Sequence, residues 1–145
     1  SKVTVDSMVR VEAKTADGKK YMGFIDAATG RVVIEPDRYI AFNRSIAGKG
    51  FNFTKDGYII AHMADKVVMI NKTGQVILDN GYKALGFYND CRILKAANAE
   101  WKVGIIDYQG NVLEPFVHNS FQSKSLSKAA NRISKEKGGV KVEIW

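Results

Sequence analysis

The chain has one cysteine, Cys91, so it can close no internal disulfide, and its two histidines, His62 and His118, form no Cys/His cluster of the zinc-binding kind. The fold must therefore rest on packing, with no metal or cofactor implied. No apolar run approaches the roughly 18 residues of a membrane-crossing helix, and the first twenty residues lack the apolar core of a signal peptide. Together with the near-absence of cysteine, this points to a soluble chain of a reducing, cytoplasmic compartment. The glycines punctuate short apolar segments and never gather into a phosphate-cradling loop. At 145 residues the expectation is one domain, long enough to bury about two-thirds of its unfolded surface.

What is present is repetition. Tyr21-Met22-Gly23-Phe24-Ile25-Asp26, a glycine turn and Val32-Val33-Ile34-Glu35-Pro36 return as Val103-Gly104-Ile105-Ile106-Asp107, a turn at Gly110 and Val112-Leu113-Glu114-Pro115. A degenerate copy lies between them, Val67-Val68-Met69-Ile70-Asn71 through Gly74 to Gln75-Val76-Ile77-Leu78-Asp79. A period of about 40 residues marks one supersecondary unit used several times. Upstream of each motif strand lies another β pattern: Val9 to Lys14, Tyr58 to Met63 and Arg92 to Ala96. Alternating residues joined by Gly, Asp or Asn turns predict hairpins, so each copy reads as a three-stranded antiparallel meander. The expected fold is mainly β, three such repeats forming a packed sheet or sandwich.

The central strand of each copy is apolar on both faces. Met22 and Phe24, Val67 and Met69, and Val103 and Ile105 line one face; Gly23 and Ile25, Val68 and Ile70, and Gly104 and Ile106 line the other. A small meander cannot bury two apolar faces alone, so neighbouring repeats must supply the cover. Glycine recurring inside such strands signals close approach by another part of the chain.

The combination of Gly, two apolar residues, Asp, a Gly turn, Val-Val-Ile, an acid and Pro resembles the bacterial WG-repeat proteins. Phe53-Thr54-Lys55-Asp56-Gly57 and Phe87-Tyr88-Asn89-Asp90 carry the Phe-x-x-Asp that precedes the next copy. The resemblance covers residues 8–116; Met22, Val67 and Val103 stand where the family has its tryptophan, and Val68 replaces the second glycine. It implies a β-rich repeat fold and a binding role, with no shared catalytic residues.

Residues 117–145 differ in composition. Leu126, Ala129, Ala130 and Ile133 fall at helical spacing between a cap at Ser123 or Ser125 and a stop at Gly138, which predicts an amphipathic helix of about four turns. Lys124, Lys128, Arg132 and Lys135 form a stripe on its opposite side. Val140, Val142 and Ile144 alternate with Lys141, Glu143 and Trp145 as in a closing edge strand.

Net charge is +7, and residues 120–145 hold six Lys or Arg against Glu136 and Glu143. The stripe of Lys124, Lys128, Arg132 and Lys135 is therefore the leading candidate for binding an acidic partner. A second basic stretch, Arg38, Arg44, Lys49 and Lys55, carries no acid and is interleaved with aromatics including Phe51 and Phe53. Lys49-Gly50-Phe51-Asn52-Phe53 matches the run with which some modules stack single-stranded bases, although Phe53 also has a core explanation through its repeat equivalent Phe87.

Candidates for catalysis are few. His62 sits in a strand among apolar residues, while His118 follows one; as base and acid they would suit a small basic ribonuclease of the toxin type. Asp26 and Asp107 stand before turns, where a carboxylate bonds local backbone. Cys91 has no activating neighbour in sequence. The expected function is thus non-catalytic binding, an interaction module, inhibitor or adaptor docking on an acidic protein. Single-stranded nucleic-acid binding is the alternative, and a histidine-dependent ribonuclease a minor one.

Overall fold

A computed structural model describes residues 7–43, 53–89 and 92–137. Among these the fold is mainly β, three antiparallel sheets followed by one helix. The first sheet is β1 (Met8–Lys14), β2 (Lys20–Asp26) and β3 (Arg31–Tyr39), in that order. The second is β4 (Ala41–Phe42), β5 (Tyr58–His62), β6 (Val67–Asn71) and β7 (Val76–Tyr82). The third is β8 (Ala84–Asn89), β9 (Ile93–Ala97), β10 (Val103–Asp107) and β11 (Val112–His118), and α1 (Lys124–Glu136) follows.

The sheets stack face to face in chain order. Phe24 and Ile34 of the first pack on Ile59, Ala61, Val68 and Ile70 of the second. The second turns Ile60, Met69 and Leu78 onto Leu85, Leu94, Ala96 and Ile106 of the third. The far side of the third sheet, Ile93, Ala97, Val103 and Ile105, is covered by Leu126, Ala129, Ala130 and Ile133 of α1. The first and second repeats thus each lay their Phe24-type face on the Ile70-type face of the next. Ile59, Ile60, Met69 and Ile70 are all fully buried, which accounts for a central strand with no polar side. Each such side chain contributes about 1.5 to 3 kcal/mol by leaving water.

The outer strands run further than the apolar motif suggests. The apolar motif residues stop at Pro36 and Pro115, but β3 continues to Tyr39 and β11 to His118. Both are edge strands, where a missing N–H is tolerated, and the proline sits in a bulge. The chain then passes straight from β3 into β4 and from β7 into β8, so the last strand of one repeat donates the first strand of the next sheet.

Bulges recur at equivalent points. Phe24 pairs with Ile34 but Ile25 with Val32; Met69 with Leu78 but Ile70 with Val76; Ile105 with Glu114 but Ile106 with Val112. The extra residue in each, Val33, Ile77 or Leu113, is thereby turned into the core beneath it. A second bulge folds back over the motif glycine. A Cβ on Gly23 would lie 2.1 Å from the Ile34 carbonyl oxygen, and one on Gly104 would lie 2.5 Å from that of Glu114. In the middle copy Asn80-Gly81 replaces the proline, Gly81 has φ of 72°, and Val68 is accommodated in the core.

Turn chemistry repeats as well. Asp26 Oδ1 accepts from the Ala28 amide at 3.1 Å, Asp107 Oδ1 from the Gln109 and Asn111 amides at 2.9 Å each, and Asn71 Oδ1 from the Thr73 and Gln75 amides at 3.0 Å each. Ser7 foremost, then Ala28 and Thr29, hold Asp26 below the usual carboxylate range despite its burial. Burial pushes Asp107 up, but the bonds from Asn111 and Gln109 outweigh it and leave the group lowered. These acids are turn anchors.

Replacing Gly23 or Gly104 with Val should destabilise the protein by about 1 to 3 kcal/mol, because the new side chain meets backbone that cannot rotate away. Chemical denaturation checks this; midpoints equal to wild type in both variants would show that the bulges yield freely.

Candidate partner-binding surface

The helix forms as its spacing predicts. Ser123 is the N-cap, its Oγ accepting from the Leu126 amide at 3.3 Å, and the apolar face is buried as far as Ile133 and Ser134. Lys124, Lys128, Arg132 and Lys135 are exposed on the other side. Among the described residues, Lys124, Lys128 and Lys135 have no carboxylate at ion-pairing distance, whereas Arg132 reaches Glu114 Oε1 at 3.4 Å. Gly138 and the strand expected over Val140 to Ile144 lie outside the described residues.

A chain of polar side chains fastens the start of α1 to β11. His118 Nε2 lies 2.8 Å from Glu114 Oε2, and His118 Nδ1 lies 3.1 Å from Ser125 Oγ, itself 2.9 Å from Ser123 Oγ. A carboxylate only accepts, so Nε2 carries a proton; in the neutral ring Nδ1 then accepts from the Ser125 hydroxyl, and in the charged ring it donates to it. The connectivity of Ser125, His118 and Glu114 is that of a nucleophilic relay. Every member is also engaged in holding the helix: Ser125 is bonded to the N-cap serine, and Glu114 is shared with Arg132.

Further clamps lie beneath. Tyr88 Oη donates to Asn131 Oδ1 at 2.5 Å, and Lys102 Nζ donates to Asn119 Oδ1 at 2.6 Å. Lys95, in an otherwise apolar strand, is buried on the helix side of its sheet; its Nζ donates to the Phe121 carbonyl at 2.7 Å and lies 5.5 Å from the Tyr88 ring centroid. Burial holds its pKa below the ordinary lysine value. The sequence offered no sign of this residue beyond a lysine among apolar neighbours.

The other candidates are dispersed. His62 is buried in β5 on the side facing the third sheet, while His118 belongs to the β11 latch. Arg38 is exposed and bonded to Asp37 at 3.0 Å, bordering a shallow cavity of about 490 Å³ that Lys19, Lys20 and Asp65 also line. Phe53 is in the core, its ring 5.0 Å from that of Phe24, and so is closed to a stacking base. Lys55 is exposed in a turn. Arg44, Lys49, Phe51 and Cys91 lie outside the described residues.

One residue of this surface went unnoticed in the sequence. Trp101 ends the β9–β10 hairpin turn, is 60% exposed and has φ of 62°. Its equivalents in the first two repeats, by the matching turn bonds from Gly18 to Thr15, Gly57 to Thr54 and Trp101 to Asn98, are glycines with φ of 88°. A left-handed backbone costs a bulky residue about 1 to 2 kcal/mol. Trp101 adjoins Lys102, which is tied to the segment entering α1, so an exposed aromatic lies at the end of the third sheet that leads to the basic helix.

Two outcomes test this geometry. Trp101→Gly should raise stability by about 1 kcal/mol through relief of the strained backbone, read from the thermal midpoint. For Lys95, the native state releases its proton at lower pH than the unfolded chain, so the unfolded chain binds more protons between the lowered value and about 10.4. Wild-type stability relative to Lys95→Met should therefore rise through that window; a flat difference would place the ammonium in a water-like setting.

No protein-family model matches the chain, and no curated protein and no solved structure matches it.

Proposed function

We propose that this protein is a non-catalytic binding module that docks an acidic protein partner on the outer side of α1. The observation that carries the reading is the display of Lys124, Lys128 and Lys135, exposed and without carboxylate partners among the described residues, on a helix whose other side is packed into the third sheet. Charge held on such a scaffold attracts an opposite charge without any ordering of the backbone and speeds encounter. Trp101, exposed in the β9–β10 turn next to Lys102, whose ammonium bonds Asn119 ahead of α1, is the residue type that anchors interfaces, and on this reading that role accounts for its strained backbone. The repeat region over residues 8–116, of WG type on this reading, is the rigid support.

Reversing Lys124, Lys128 and Lys135 to Glu should change stability by less than about 1 kcal/mol, since exposed charges contribute little. The same variant should associate more slowly with its partner and lose most of the salt dependence of the rate. Partner capture from a cell extract with and without nuclease, followed by rate measurements over a salt series, makes the test. Unchanged rates at low salt would remove the helix from the interface; capture lost with nuclease would favour nucleic acid instead. Wild type and His62→Gln/His118→Gln should both fail to hydrolyse RNA, DNA or an activated ester. Turnover lost on that substitution would make the protein an enzyme.

A further inference from the structure

The three repeats are not equally covered, and the inequality is systematic. Val9 pairs with Ile25 in the first sheet as Ile59 pairs with Ile70 in the second and Leu94 with Ile106 in the third. Ile59, Ile70, Leu94 and Ile106 are each 0% exposed, yet Val9 is 46% exposed and Ile25 only half-buried. The adjoining pair repeats the contrast: Ala61 and Ala96 are fully buried, while their equivalent Val11 is half-buried. In the second and third sheets this face is covered by the Phe24-type face of the preceding repeat. Over the first sheet no described residue does so.

The edge of the first sheet is incomplete in the same way. β5 is paired on its outer side by β4, and β9 by β8, each the continuation of the preceding repeat's last strand. β1 occupies the equivalent place, and among the described residues only β2 pairs with it. Face and edge therefore lack two different things, an apolar cover and a strand, that one source supplies to both other sheets.

The opposite end of the stack is closed, because α1 seals the Val103 and Ile105 face of the third sheet. A second copy of this chain has no free Phe24-type face to offer: its first two are covered by sheets and its third by the helix. We infer that the β1 end is an acceptor for one further repeat of the same kind, placed in line ahead of β1. Its last strand runs on to pair with β1, and its apolar face covers Val9, Val11 and Ile25. The stack then grows in one direction and ends at α1, which acts as its terminal cap.

The register shows how to test this. Ile93 opposite Asp107 corresponds to Met8 opposite Asp26, so a second copy of residues 53–91 joined ahead of Ser7 presents its own β8 to β1 in native alignment. In a Cys91→Ser background, the thiol introduced by Val9→Cys reports cover of the face. Its alkylation should be slower by at least about tenfold in the extended chain than in the original one, and β1 amides should gain protection from hydrogen exchange. Adding Ile25→Lys to the extended chain should restore fast alkylation. Alkylation equally fast in both chains would overturn the inference. So would a dimeric original chain that Val9→Lys converts to monomer, because the face would then be taken by its own copy.

Discussion

Everything in this fold follows from sheets that are apolar on both sides. A three- or four-stranded meander with two such faces is insoluble by itself, and the only cover within reach is another sheet of the same kind. The head-to-tail contact between Phe24-type and Ile70-type faces meets that need, and because the same contact is made twice, one sequence recipe serves successive layers. Among the described residues no further sheet follows the third. An amphipathic helix, one face apolar and one charged, ends the series where another repeat would have prolonged it.

That termination also creates the most distinctive surface. A sheet ending the stack would expose apolar side chains; α1 exchanges them for cations held on a buried Leu126, Ala129, Ala130 and Ile133 anchor. The latch of Glu114, His118, Ser125 and Ser123 fixes where the helix begins, and Lys95 and Tyr88 hold it from beneath. Stability and display are the same set of contacts here. The repeats give rigidity, the cap gives chemistry, and Trp101 in the β9–β10 turn departs from the glycine rule obeyed by Gly18 and Gly57.

Much of the architecture was legible from residue pattern. The doubly apolar strands, the recurring glycines and the acid or amide before each turn marked the three meanders, because each feature is local and repeats. Helix spacing over Leu126 to Ile133 was equally plain, while the choice of Ser123 over Ser125 as its cap came from the bond to the Leu126 amide. The continuation of β3 past Pro36 was not, since proline usually ends a strand and only its edge position makes it tolerable. Phe53 shows the same limit. Its neighbours suggested an open aromatic as readily as a core one, and only packing against Phe24 decided between them.

By itself the sequence determined the repeat unit, the two-faced strands and the amphipathic cap, for these depend on periodicity and on which side chains avoid water. Tertiary structure decided which face meets which, because stacking order is a property of shape that period two cannot express. It also decided that Glu114, His118 and Ser125 meet, that Lys95 is buried beneath a loop, and that Trp101 stands exposed on a left-handed backbone. Each of those facts needs residues from different elements brought together, or a backbone angle imposed by a turn, and neither is written in spacing along the chain.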